Sequence, residues 1–322
     1  MQDSRQYRAF FLIPPEVQLL DFAGPAHLFY EATLYGAAIT THCLSMSTTQ
    51  EEITCAGVSL GGLKPYANFQ LGPNDLLFVP GLEGWMFSEI GYASKNHEFI
   101  QWLKQQHTNG ARICSVCTGA YIVAFAGLFD GKKCTTHWKY MEDFQNRFPK
   151  AKLLFDRLIV KDGNIYSSAG VSSGIDLALF LLEELYGPVF ATKIAKAVVI
   201  YLRRTDNDPQ LSVFLKYRNH LDNRIHQVQD LLAQNLAKKI KIETLASQVH
   251  MSPRNLTRLF KKVTGITVGS YLEKLRVERA IQLLSGGSKV SVVSSACGLQ
   301  SSNQLRSLFK KHTHSLPSEW QD

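Results

Sequence analysis

Short apolar runs alternate with helical spacings as far as residue 190, and beyond Leu221 only helical spacings remain. In the first part, Arg8 to Ile13, Thr40 to Ser47, Asp75 to Gly81 and Arg112 to Cys117 read as strands. Their apolar positions are continuous, as expected of strands covered on both faces. Gly24 to Tyr35, His97 to His107, Thr118 to Ala126 and Ser173 to Tyr186 carry the helical period. Leu158 to Tyr166 reads as a hairpin turning at Asp162-Gly163, and Ala191 to Arg204 as a further helix. The alternation predicts an α/β domain with a parallel sheet between layers of helices, followed by an all-α domain.

Thr205-Asp-Asn-Asp-Pro-Gln210 breaks the periodicity with turn formers. The expected division is a first domain over 7–204, a linker over 205–219 and a second domain over 220–322. Within the second, Ile242 to Phe260 and Val290 to Phe309 each give a short apolar helix, a tight turn and a second helix ending Leu-Phe-Lys-Lys. A long helix, Tyr271 to Leu284, separates them and stops at Gly286-Gly287. Two such helix-turn-helix units can place their second helices in successive major grooves. In the first unit Ser252 caps the helix, Pro253 opens it, and Leu256, Leu259 and Phe260 face inward. Arg254, Asn255, Thr257 and Arg258 then face outward, where Arg pairs with guanine and Asn with adenine, and Lys261 and Lys262 meet phosphate. In the second unit Gly298 permits the turn and Ser301 caps the helix. Ser302, Asn303, Arg306 and Ser307 face the groove, followed by Lys310.

Charge supports this division. Residues 211–322 hold 17 Lys/Arg against 7 Asp/Glu, a balance of +10, whereas residues 1–210 hold 18 against 20, a balance of −2. The positive charge sits where a polyanion would bind. The apolar run at Ala9–Pro15 is too short for a signal peptide, and no stretch reaches transmembrane length. The six cysteines are scattered, as suits a reducing cytoplasm. No spacing suits zinc, and no cofactor is expected. His97, His107, His220 and His226 read as isolated, exposed helix residues.

Residues 221–320 resemble the AraC/XylS family of transcription regulators. The likeness rests on Leu245-Ala246, Met251-Ser252, Leu256-Thr-Arg-Leu-Phe260, Gly265, Tyr271-Leu272, Leu275-Arg276, Ala280, Leu283-Leu284, Gly298 and Pro317. It implies two DNA-reading subdomains joined by a helix, with base-reading positions at Arg254, Thr257, Arg258, Asn303, Arg306 and Ser307. The chain departs from the family's pattern at Leu299, at Gln304-Leu-Arg-Ser307 and at His314, all in the second unit.

In the first domain the sharpest feature is Ile113-Cys-Ser-Val-Cys-Thr-Gly-Ala120. A strand running into Cys117 and small residues has the form of a nucleophile elbow. Backbone amides and a helix dipole there are expected to lower the thiol pKa. Asp21 and Pro25, Val79-Pro-Gly81, Val116-Cys-Thr-Gly119, Thr135-Thr-His137 and Ser168-Ala-Gly170 with Ile175-Asp176 together resemble the ThiJ/PfpI superfamily over residues 7–190. That likeness implies a flavodoxin-like sheet with Cys117, Asp21, His137 and Gly81 around a pocket; Leu82, Glu83 and Thr118, which flank the turns near Cys117, are expected to line it too. Phe22, Trp85, Trp138 and Val171 are further candidates for its wall. Peptidases of the superfamily carry His after the cysteine. Here it is Thr118, which argues against proteolysis and towards the isonitrile-hydratase branch and GlxA-type regulators.

Together the two ends point to a cytoplasmic regulator of transcription. It is expected to bind double-stranded DNA, to activate, to dimerise with itself and to work with RNA polymerase. Its effector is expected to be a small nitrogenous metabolite, since regulators of this build respond to betaines, carnitine or basic amino acids, and Asp21 or Glu83 can face a cation. The competing readings are a hydratase or amidase with Cys117 as nucleophile, and a redox sensor built on Cys117 or Cys114.

Overall fold

The computed structural model describes residues 6–84, 87, 91–155, 157–200, 210, 212–313 and 315–320. The chain divides into two compact units, Met1–Gln210 and Leu211–Asp322. Trp85, His314 and residues 205–209 and 211 of the expected linker lie outside the described residues.

In the first unit the elements run β1 (Tyr7–Ile13), α1 (Leu19–Leu34), β2 (Ile39–Ser45), β3 (Glu51–Ile53), β4 (Ser59–Gly61), β5 (Lys64–Pro65) and β6 (Asp75–Val79). They continue with α2 (Tyr92–Lys95), α3 (His97–Thr108), β7 (Arg112–Val116), α4 (Gly119–Phe125), β8 (Lys133–Cys134), α5 (Met141–Arg147) and β9 (Lys152–Leu153). The unit closes with β10 (Ile159–Asp162), β11 (Ile165–Ser168), α6 (Ser173–Tyr186) and α7 (Pro188–Ala197). The main sheet has the order β10-β11-β7-β6-β1-β2-β5. Its pairings are parallel except for the β10–β11 hairpin.

Both faces of the sheet are buried. Ala9, Phe11 and Ile13 of β1 pack with α1, α6 and α7, while Phe10 and Leu12 pack on the other side with α3 and α4. That two-sided burial is why the strands read as unbroken apolar runs. The chain leaves β1 in one direction for β2 and β5, and then crosses back to β6, β7 and β11. The order therefore reverses between β1 and β6, and a crevice outside the carboxyl ends of strands at such a reversal is where α/β sheets bind ligands.

Several boundaries differ from expectation. α1 begins at Leu19 rather than Gly24, so Gly24-Pro25 is interior punctuation, not a start. Pro25 leaves the Asp21 carbonyl without a helical donor, and its ring packs against Gly174, where a Cβ would lie 3.1 Å away. The close fit of α1 on α6 outweighs propensity. α7 starts at Pro188, not Ala191, and ends at Ala197; Val199 has φ 55°, which breaks helical geometry, and 201–204 lie outside the described residues. β2 stops at Ser45. The hairpin β3–β4 is short and largely exposed, and β8 and β9 have two residues each, too few to show a strand period.

The second unit is helical: α8 (Val213–Lys216), α9 (Asn223–Gln234), α10 (Ile242–Gln248), α11 (Pro253–Thr264), α12 (Val268–Ser285), α13 (Val290–Ala296) and α14 (Ser302–Thr313). It has two apolar centres. Val268, Tyr271 and Leu275 of α12 belong to the first, with α9, α10 and α11. Val277, Ala280, Ile281 and Leu284 belong to the second, with α13 and α14. A single long helix thus ties the subdomains together, and it starts three residues earlier than its apolar pattern because Thr267 caps it, accepting from the Ser270 N–H at 3.1 Å.

Candidate functional site

The two helix-turn-helix turns use the same backbone device with different residues. His250 and Gly298 both adopt left-handed φ, 52° and 69°. Glycine is required at the second, since a Cβ there would lie 2.5 Å from the Leu236 carbonyl oxygen. Ser252 and Ser301 cap α11 and α14, accepting from the Asn255 and Gln304 N–H groups, each at 3.3 Å. Leu256 and Phe260 are fully buried beneath α11, as Leu305 and Phe309 are beneath α14. That inward set turns Arg254, Asn255, Thr257, Arg258, Lys261 and Lys262 to the surface of α11, and Asn303, Arg306, Ser307 and Lys310 to the surface of α14.

Ser302 departs from its expected outward position: it is half-buried in the first turn of α14. Arg306 donates to Asn303 Oδ1 at 3.2 Å, so these two act as one polar unit. Lys311 is drawn off by Glu273 of α12 at 2.6 Å, with His312 on the same carboxylate at 3.0 Å. Sequence reading missed this tie because its partner lies 38 residues away.

In the first unit, the ends of β1, β6, β7 and β11 converge on Cys117. Its φ of 58° is the strained geometry of an elbow. Three glycines allow the approach. A Cβ on Gly119 would strike the carbonyl oxygens of Val79 and Pro80; one on Gly81 would lie 2.5 Å from Asp21 Oδ2. One on Gly170 would lie 2.8 Å from the His137 ring and 3.0 Å from Cys117 Sγ. Asp21, Gly81, Leu82, Cys117, Thr118 and His137 are therefore brought together. Thr118 Oγ1 accepts from the Leu82 N–H at 3.0 Å and donates to the Leu82 carbonyl at 2.8 Å.

Asp21 is fully buried. It accepts from the Gly81 N–H at 2.9 Å, from the Val171 N–H at 3.0 Å and from the Cys117 thiol. Burial pushes its pKa up to about 6 against those donors. The Cys117 thiol moves the opposite way from expectation. Burial, reinforced by the Asp21 charge, raises it well above its ordinary value. The elbow helix, α4, has only seven residues, and its dipole does not offset desolvation. Cys114 is likewise raised by burial within β7, and all six cysteines are free thiols.

His137 Nδ1 accepts from the Lys139 N–H at 3.3 Å, which leaves the proton of the neutral ring on Nε2. Burial lowers its pKa. Tyr140, which sequence reading missed, stands 5.8 Å from the His137 ring and packs its hydroxyl over Gly84. Trp138 is 5.6 Å from the same ring and half exposed. Glu83 is held by Gln18 Nε2 at 2.6 Å. Gln210 reaches the same region: its Nε2 donates to Thr135 Oγ1 and the Thr136 carbonyl, each at 3.0 Å, and to the Arg157 carbonyl at 3.1 Å. Thr136 in turn donates to the Cys117 carbonyl at 3.1 Å.

Of the histidines read as exposed, only His97 is so. His107 is half-buried, and His220 and His226 stack 4.5 Å apart. Among the described residues no group of three metal-ligating side chains forms, and no helix is long and apolar enough to cross a membrane.

The family model described as DJ-1/PfpI family matches residues 7–184, and one described as a helix-turn-helix domain matches residues 245–322. The chain is similar to the HTH-type transcriptional regulator CdhR of Pseudomonas aeruginosa, 29% identical over 315 residues, 96% of this chain and 90% of that one. Similarity to the regulator GbdR of the same species is 30% over 220 residues, 68% of this chain but 60% of GbdR's length. Isonitrile hydratase of Pseudomonas putida is 31% identical over 179 residues, 55% of this chain and 71% of the enzyme. Among solved structures, an AraC family transcriptional regulator from Pseudomonas putida superposes with TM-score 0.52 at 21% identity, covering 60% of this chain and 99% of that one. A ThiJ/PfpI family protein from Pseudomonas syringae gives 0.53 at 19%, covering 81% and 89%.

Proposed function

The chain belongs to the DJ-1/PfpI family, and on that premise we propose that it is a sequence-specific DNA-binding regulator of transcription governed by a small effector. The observation that carries the DNA half is the pair of capped, basic helices α11 and α14, each with its polar residues outward over a buried Leu/Phe pair. The named regulators among its relatives support the same reading. Arg254, Thr257 and Arg258 would read bases in one groove, Asn303, Arg306 and Ser307 in the next, and Lys261, Lys262 and Lys310 would hold phosphate.

For the effector, Asp21 already accepts from three donors, so the carboxylate with acceptor capacity left for a cation is Glu83, which is held by Gln18 and precedes Gly84, where the Tyr140 ring packs. Aromatic faces next to a carboxylate suit an ammonium or quaternary nitrogen, which supports a nitrogenous metabolite. Gln210 offers a route to the rest of the chain, because it is bonded to the Thr135–Thr136 strap that carries His137 and grips Cys117. An effector that binds better when that strap is displaced would shift the linker. Dimerisation is supported by α1, whose outer face exposes Leu20, Tyr30 and Leu34 at helical spacing; a second copy packing the same face on itself is the occupant that makes a closed pair. The likeness to isonitrile hydratase favours a second reading, hydration chemistry at Cys117, but the raised thiol lacks the resting thiolate such a nucleophile uses.

The test selects binding sites from random duplexes with the full chain, then compares Arg258→Ala. The variant should lose ~1–3 kcal/mol of discrimination at one base position. Unchanged affinity for every base variant would end the reading of α11 as a base reader.

A further inference from the structure

One groove in the second unit is not explained by base reading. It has a volume of about 650 Å³ and lies among α9, α10, α11 and the first turn of α12. Its floor is aliphatic: Ile240, Ile242 and Leu272 are partly exposed along it, and Leu245 is buried beneath them. Its rim is cationic: Arg254, Arg258 and Lys261 line one side of α11 at helical spacing. Among the described residues none of the three pairs with a carboxylate within 4.0 Å. Opposite them the groove meets Thr267, Val268 and Gly269 at the start of the 18-residue helix α12, whose first amides favour negative charge.

This combination selects an occupant. A free phosphate would satisfy the rim and leave the floor wet. A neutral hydrocarbon would cover the floor and leave three charges unanswered. A duplex brings phosphates and polar base edges, with thymine methyl groups as its only aliphatic matter in the major groove. The volume falls within the usual range of small-molecule sites, about 300–1,000 Å³.

We propose that this groove is a second ligand site, for a small amphipathic anion: an alkyl or aryl carboxylate whose head group meets Arg254, Arg258 and Lys261 and whose body lies on the aliphatic floor. Occupancy excludes DNA, because the same arginines would be turned from bases to the carboxylate. The competition rests on the DNA-binding reading; the ligand site itself does not. The site is separate from the Cys117 region, so the chain would have an input acting directly on the reader.

The test uses the full chain and sodium octanoate below its micellar range, followed by isothermal titration calorimetry. Octanoate should bind saturably at one site, and octyltrimethylammonium, of equal chain length and opposite charge, should not. Arg258→Ala and Leu272→Gln should each weaken octanoate at least tenfold, while Lys289→Ala on the other subdomain should leave it unchanged. Circular dichroism confirms that each variant is folded, and Leu272 is half-exposed, which favours tolerance. In a second arm, fluorescence anisotropy of a selected duplex at fixed salt should show its apparent Kd raised at least tenfold by saturating octanoate and unchanged by butyrate. The proposal is overturned if octanoate fails to bind, if the cationic analogue binds equally, if both variants bind like the parent, or if octanoate and duplex bind together. A chain that binds octanoate as described but no duplex would overturn the regulator reading and leave the ligand site standing.

Discussion

Asp21→Asn separates the charge at the centre of the elbow from its hydrogen bonds. In the folded chain burial lifts this carboxyl from 3.8 to about 6. The folded state therefore holds the proton more tightly than the unfolded one. The stability this group contributes is complete below pH 3.8 and is lost as pH rises through about 6. A shift of that size corresponds to about 3 kcal/mol in total, roughly 2 of it between pH 4.5 and 8. Asparagine has one carbonyl oxygen where the carboxylate accepts from both Gly81 and Val171. The variant thus leaves one buried N–H unpaired, at a cost of about 1–3 kcal/mol at every pH. The diagnostic quantity is the slope and not the offset. The parent's advantage over Asp21→Asn should shrink by ~2 kcal/mol from pH 4.5 to pH 8. Urea unfolding of the full chain, followed by tryptophan fluorescence, measures it; Trp102 and Trp138 report on the first unit. A gap between parent and variant that stays constant across this pH range would refute the account of Asp21 as a carboxyl strained by burial.

Other outcomes follow from the same geometry. Gly119→Ala places a methyl against the Val79 and Pro80 carbonyls, which are backbone and cannot yield; the expected loss is about 2 kcal/mol or more in urea unfolding, and an unchanged midpoint would contradict the close approach of α4 to β6. Iodoacetamide at pH 7.5 should alkylate the half-buried Cys43 and Cys55 well before Cys117, read by peptide mass spectrometry; Cys117 reacting first would revive both the nucleophile and the redox sensor. Gln210→Ala removes two hydrogen bonds from the Thr135–Thr136 strap and one from the Arg157 carbonyl. With an amine or betaine found by thermal shift on the full chain, that variant should still bind the effector while its DNA affinity no longer responds; a full response would remove Gln210 from the coupling.

How much of this was legible beforehand varies element by element. α6 reads correctly from Ser173 to Tyr186 because its apolar positions repeat at helical spacing and Gly187 stops it with φ 85°. The α11 and α14 surfaces were legible for the same reason: once Leu256 and Phe260, or Leu305 and Phe309, go inward, the helical period dictates which side chains remain outside. The start of α1 was not legible, because Gly24-Pro25 signals a boundary locally while the fit against Gly174 and Ile175 overrides it from 150 residues away. The same holds for Tyr140 against Gly84 and for Gln210 against Thr135 and Thr136, contacts that span more than fifty residues.

Local order thus decides which segments are helix or strand, which faces are apolar, and where positive charge collects, since period and capping act within a few residues. The ionisation of Asp21 and Cys117 belongs to the tertiary structure alone. Their motif predicts an activated thiol, but desolvation depends on what the rest of the chain packs over them. The groove beneath Arg254 and Arg258 is likewise a product of packing. Four helices must meet before aliphatic side chains that each read as ordinary core become a common floor.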